Sequence, residues 1–375
     1  MISFNNNPTD LTLGVEMEIQ LIDPETLRPM PVSGDFIAAI DSPKITKEMF
    51  RSTLEIVSGI AENVHQISKD LSASLQDVKK YAKEHGVLLA STGTHPTADY
   101  NNRILSPSDR YKELLDNNQW VIKRMAVYGL HVHVGMLNAE ECIQFNNFII
   151  RYVPHLIALS ASSPFWKGID TGLSASRPTT YEAHPTAGMP ILVNSWHEFS
   201  QLYDQMIETH SVQSMKDIWW DIRPSPGYGT LEIRICDAPA TILELEAITA
   251  FIHLLAYRFK KEFVEGRFQS VLPALWILRE NKWRSIRFGL SAEIIKEHDL
   301  QLVSLKDDII HFLTDMKDVI EELGYHSYVA CILEILEKGN SAQRQRKVME
   351  KSAEIADVIK HNILEFENSS PIWQV

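Results

Sequence analysis

The segment Gly14-Val15-Glu16-Met17-Glu18 constrains this chain more than any other stretch. Leu13, Val15, Met17, Ile19 and Leu21 alternate with Gly14, Glu16, Glu18 and Gln20. A period of two predicts a half-buried strand, and strand geometry puts both carboxylates on one face while the apolar side chains go to the other. Like charges side by side on an otherwise apolar strand are costly unless a cation sits over them, and carboxylate-rich sites suit Mg²⁺ or Mn²⁺. In isolation the same pattern also fits a strand with one solvent-exposed polar face.

The device recurs. Gly129-Leu130-His131-Val132-His133-Val134-Gly135 places two imidazoles on one face, with a glycine at each end to permit close backbone approach. Such a pair can ligate a metal or donate to a phosphate, and it also fits two satisfied core histidines. Thr230-Leu231-Glu232-Ile233-Arg234-Ile235-Cys236 sets Glu232 and Arg234 opposite three apolar residues, and Ser52-Thr53-Leu54-Glu55-Ile56-Val57 presents one acid in an apolar run, with Glu48 upstream. One sheet face lined with metal ligands is a simpler account than several independent accidents.

Helical periodicity fills the gaps. Val64, Ile67, Leu71, Leu75, Val78 and Tyr81 predict a helix over roughly 62–85 that stops at Gly86. A second starts at Asn138, with Glu141 in the capping-box position, and runs toward Ser160 with a kink at Pro154. After Pro239, Thr241 and Glu244 cap a long helix ending at Gly266, and Ser304 opens another that stops near Gly324. Strands with interspersed helices followed by an almost wholly helical third predict an α+β architecture. Residues 1–239 are expected to form a catalytic α+β body and residues 240–375 a helical subdomain packed on it, together one compact unit.

Composition narrows the partners. The 375 residues carry a formal net charge of −13, which argues against nucleic acid, since a phosphate backbone needs a basic surface. Three widely spaced cysteines fit neither a disulfide framework nor a Cys-rich zinc site, and point to a reducing cytoplasm. The N-terminus lacks a signal-peptide pattern and no apolar run is long enough to span a membrane. Neither GxxxxGK[ST] nor GxGxxG is present, which leaves the sheet face as the candidate nucleotide site.

Together, LGVEMEIQLIDPETL, STLEIVSGI, GTHP, GLHVHVG, RYVPHLIALSASSPFWKGIDTG, PTAGMP and DIRPSPGYGTLEIRICDAP resemble the bacterial carboxylate-amine ligase family related to the type 2 glutamate-cysteine ligases. The resemblance implies a glutamine synthetase-like fold: a curved antiparallel sheet whose concave face holds divalent metals between ATP and an amino-acid substrate. It implies that Glu16, His131 and Glu232 ligate a nucleotide-side metal and that Glu18, Glu55 and Glu48 ligate a substrate-side one. His133 matches a phosphate-contacting position, and Arg234 the arginine that steadies the transferred phosphoryl group. The implied reaction is ATP-dependent amide formation through an acyl phosphate, γ-glutamylcysteine being the product for glutamate and cysteine. A substrate α-carboxylate needs a cation, and Arg177, Arg223 and Arg103 are the candidates. A phosphagen-type kinase and a non-catalytic metal- or nucleotide-binding regulator are the alternatives on the same scaffold. A homodimer is the expected assembly.

Overall fold

The structure, a computed structural model, describes residues 2–99, 103–268 and 271–374. Its centre is a seven-stranded sheet ordered β10-β11-β5-β1-β3-β2, with β4 pairing to the far end of β1. The strands are β1 (Leu13–Ile22), β2 (Ile45–Lys47), β3 (Thr53–Val57), β4 (Leu88–Ala90), β5 (Leu130–Gly135), β10 (Ile222–Ser225) and β11 (Thr230–Ile233), and every pairing among them is antiparallel. The four segments singled out by their alternation thus lie side by side as β11, β5, β1 and β3.

Alternation decides the two faces. Val15, Met17, Val132, Val134, Leu231 and Ile233 are at most 1% exposed and belong to one apolar core. Helices α2 (Val64–Glu84), α4 (Ala139–Ile149) and α8 (Ile242–Val264) pack against these strands. Asn63, Asn138 and Thr241 cap those helices, each side chain accepting from the backbone N–H three residues on. The polar face is left to line a cleft. Helix α1 (Ser33–Ile40) packs on α2 and β2 with Phe36 in the core, and α3 (Asp109–Lys123) contributes to the cleft wall.

The rest surrounds this layer: α5 (Val153–Ser160), α6 (Arg177–Tyr181), α7 (Trp196–Glu208) and α9 (Leu275–Phe288), with two-residue pairs β6 (Phe165–Trp166) with β7 (Ile169–Asp170) and β8 (Ala187–Gly188) with β9 (Trp219–Trp220). Helices α10 (Leu305–Asp315), α11 (Lys317–Leu323), α12 (His326–Lys338), α13 (Ser341–Ser352) and α14 (Ile355–Asn368) follow. Three details differ from the sequence expectation. The helix expected over 138–160 is α4, a 3₁₀ turn at Ile150–Tyr152 and α5, because Pro154 lacks the N–H that would continue the ladder. The helix expected from Ser304 to Gly324 breaks at Met316 into α10 and α11. The last third also holds a hairpin, β12 (Glu293–Ile295) with β13 (Leu302–Ser304). No helix among the described residues is long and apolar enough to cross a membrane.

Candidate active site

Strand register turns the separate motifs into one array. Glu18 lies opposite Glu55, Glu16 opposite His131, and His133 opposite Gly14 on one side and Glu232 on the other, with Arg223 beyond. Two groups of side chains come within metal-ligating distance of one another: Glu16, His131 and Glu232, and Glu18, Glu55 and His131. His131 is common to both. The array floors a cleft of ≈ 990 Å³, at the upper end of the roughly 300–1,000 Å³ usual for ligand sites.

The electrostatics divide the floor in two. On the β11 side charge is compensated. Glu16 accepts from His131 Nδ1 at 2.9 Å and from His133 Nε2 at 3.2 Å, and these contacts outweigh burial to hold its carboxyl far below the usual range. For Glu232 burial is again outweighed, here by Arg223 and Arg234: Arg223 donates through Nη2 at 2.6 Å and Nε at 3.1 Å, and Arg234 through Nη1. His131 is pushed down to about 4 by burial and by Arg234. Burial pulls His133 down as well, but Glu232 and Glu16 more than offset it, so its pKa rises; its Nδ1 meets Thr230 Oγ1 at 2.8 Å.

On the β3 side charge is not compensated. Burial raises Glu18 to about 7 although Arg177 and the Gly129 N–H, at 2.8 Å, oppose it. Burial and the neighbouring Glu18 raise Glu48 to about 7, and burial and Glu48 raise Glu55 well above its ordinary value. Three glutamates competing for protons in one corner are what a site shaped for a divalent cation looks like without its counter-charge. The donor set, carboxylates and one imidazole, fits Mg²⁺ or Mn²⁺. Glu48, placed from sequence only by its spacing from Glu55, does lie in this corner.

The arginines differ in how far they are committed. Arg177, the first candidate for a substrate carboxylate, is 5% exposed and donates to the carbonyls of Ile235 and Arg234, each at 3.1 Å. Arg223 gives Nε and Nη2 to Glu232 and Nη1 to the carbonyls of Met215 and Ile218. Arg103 lies over the Phe50 ring, gives Nη2 to the Tyr128 hydroxyl at 2.9 Å, and lines the cleft beside the glutamate corner. Arg234 follows the last residue of β11 and also faces the cleft.

Some lining residues were not foreseen. Helix α3 supplies Arg110, which lines the cleft and pairs with Asp217 at 3.2 Å, and Tyr111, whose phenol is raised by burial and by Glu48, Glu55 and Glu18. The turn between β10 and β11 carries Tyr228, 74% exposed, with its ring edge-on to His133. The Pro-Gly pair in SPGYG signals that turn; nothing in the pattern of α3 separates Arg110 or Tyr111 from an ordinary amphipathic face.

The fold has solved counterparts. A glutamate–cysteine ligase of Francisella tularensis, determined in complex with AMP, superposes with a TM-score of 0.69 at 12% identity over 99% of this chain and 91% of that one. A bifunctional glutathione synthetase of Pasteurella multocida gives 0.70 at 13% identity, over 96% of this chain and 52% of its own, so the chain spans about half of that protein. These likenesses show the fold class, the glutamine synthetase-like one. The model of glutamate–cysteine ligase family 2 matches residues 12–361, and the chain belongs to that family. Relatives provisionally named glutamate–cysteine ligase 2 are 43% identical in Bdellovibrio bacteriovorus (93% of this chain, 92% of the relative) and 36% identical in Thermobifida fusca (96% and 92%). The chain is accordingly an ATP-dependent carboxylate–amine ligase.

Proposed function

We propose that the chain joins the γ-carboxylate of glutamate to the amine of cysteine, converting ATP to ADP and phosphate. The observation that carries this reading is the pair of ligand groups sharing His131 on one sheet face, with Arg234 at their edge. A γ-phosphoryl group and a carboxylate are both anions, so a site that joins them must neutralise charge with rigidly held groups. Glu16, His131 and Glu232 would hold a nucleotide-side cation, and Glu18, Glu55 and Glu48 a substrate-side one. When bound, Mg²⁺ or Mn²⁺ supplies the positive charge that lets the two anions approach.

The protein's own groups do the remainder. His133 exchanges its Nε2 contact with Glu16 for one to a phosphate oxygen, from a ring already oriented by Thr230. Arg234 follows the equatorial oxygens as the γ-phosphorus bond to ADP breaks and its bond to the carboxylate oxygen forms. Attack by the amine nitrogen on the resulting acyl carbon then expels phosphate. Arg103 holds the α-carboxylate of the donor, since among the described residues it gives only Nη2 to the protein, whereas Arg177 and Arg223 give both of their Nη atoms. The setting is the cytoplasm, in keeping with three free, buried cysteines. The assembly is a two-fold homodimer, the commonest oligomer.

Measuring ADP release across a panel of amino-acid donors and amine acceptors tests the reading. Release that needs both glutamate and cysteine, stops with EDTA and falls by about 10²-fold or more in Glu16→Gln is the expected result. ADP with a stable phosphorylated product and no amide would make the chain a kinase, and no release with any donor would make it a binding protein.

A further inference from the structure

We infer that Lys282, Asp221, Tyr181 and Arg177 form a positioning assembly that fixes the direction of Arg234, so that the helical part of the chain sets the geometry of phosphoryl transfer. The inference rests on the role given to Arg234 above.

Strand β11 ends at Ile233, and the backbone that carries Arg234 is held from outside that strand. Its N–H donates to the Asp221 carbonyl at 2.8 Å. Its carbonyl accepts from Arg177 Nη2 at 3.1 Å, while Arg177 Nη1 takes the next carbonyl, that of Ile235. The Arg177 guanidinium in turn lies over the Tyr181 ring, 5.2 Å from its centroid, and the Tyr181 hydroxyl donates to the Asp221 carboxylate. Lys282, from α9, donates to that same carboxylate and to Glu182. Asp221 is 0% exposed and Lys282 4%. One buried cluster therefore grips both sides of the Arg234 peptide, and its only member from beyond residue 240 is Lys282.

A buried ion cluster is an inefficient source of stability, because desolvation consumes most of what the pairing returns. It does fix directions. Both Nη atoms of Arg177, the Tyr181 hydroxyl and Lys282 Nζ have defined acceptors, and the Arg234 side chain leaves the cluster toward the cleft, where it meets Glu232. The approach is close: a Cβ at Gly129 would lie 2.3 Å from Arg177 Nη2, so only glycine admits the guanidinium.

Tyr181→Phe tests the assembly, because it removes one hydroxyl and keeps the ring beneath Arg177. Misplacing a catalytic group by about 1 Å costs on the order of 10²-fold, so the expected loss is roughly ten-fold or more in kcat, with KM for ATP within about two-fold of wild type. A double-mutant cycle supplies the reading that a purely structural role would not move: in an Arg234→Lys background, itself slower, Tyr181→Phe should cost less than about two-fold further. Lys282→Met should repeat the kcat loss; should it not fold, the Tyr181 cycle decides alone. Wild-type kcat in Tyr181→Phe, or the same fold-loss in both backgrounds, would overturn the inference. A wild-type protein that makes no amide would instead sink the ligase reading itself.

Discussion

Glu18, Glu48 and Glu55 stand close enough to share protons, and the consequence is a stability that depends on pH in a stated direction. Glu18 and Glu48 move from ordinary values near 4.5 up to about 7 in the folded protein, burial being the main cause. A folded-state value above the unfolded one means that the native state binds more protons between those two pH values, so its stability is full below about 4.5 and is lost as pH rises through about 7. In EDTA the thermal midpoint should therefore fall between about pH 5 and pH 8, and Glu18→Gln should flatten part of that slope. Adding Mg²⁺ or Mn²⁺ displaces the protons, so the metal-induced rise in midpoint should be larger at pH 8 than at pH 6. A metal-free midpoint indifferent to pH over this range would contradict the charge arrangement described. At this scale much of the site was legible beforehand. Glu16, Glu18, His131 and Glu232 declare themselves because a period of two ties each charge to a face. The commitments of Arg177 and Arg223 did not, since which carbonyl or carboxylate an arginine meets depends on strands far away in sequence.

Among the elements, β5 shows how a strand can be read for its faces but not for its neighbours. The alternation in Leu130–Gly135 predicts two histidines on one side, and they are there; that β1 and β11 flank them is a matter of tertiary pairing. Two glycines beside it, Gly129 just before the strand and Gly14 opposite His133, make the distinction measurable. At Gly129 a methyl group would meet Arg177 at 2.3 Å and His131 Nε2 at 3.0 Å, whereas at Gly14, in β1, it would meet only the His133 Cβ at an ordinary 3.6 Å. Gly129→Ala should therefore cost roughly 1–3 kcal/mol, because the overpacked guanidinium must shift, while Gly14→Ala should stay within about 0.5 kcal/mol. Denaturant midpoints of the two variants compare them directly; equal losses would mean that the Arg177 slot is looser than described. The same limit explains Lys282. Within LWILRENKWRSIRF a lysine reads as solvent face, and only the fold turns it inward to Asp221.

Across the whole molecule the helical third shares one apolar core with the sheet layer, and its own helices are clamped to each other by ions. Arg344 on α13 is 0% exposed and holds Glu244 on α8 at 2.9 Å and Glu365 on α14 at 2.6 Å. Removing the cation leaves two carboxylates facing each other out of water, a loss of roughly 3–5 kcal/mol for Arg344→Ala, whereas replacing all three with apolar residues of similar volume should recover most of it. Chemical denaturation of the single and triple variants would check this, and a single variant as stable as wild type would show that the core does not depend on the clamp.

The strand order has a further meaning for a chain that is made from one end. As synthesis proceeds, β1 and β3 can find each other early, and β5 can join them, but the row Glu16, His131 and Glu232 stays incomplete until β11 has left the ribosome. Lys282 and Arg344 emerge later still. The group Glu18, Glu55 and His131 can thus come together as soon as β5 has joined, while Glu16, His131 and Glu232 wait for a strand made some hundred residues later.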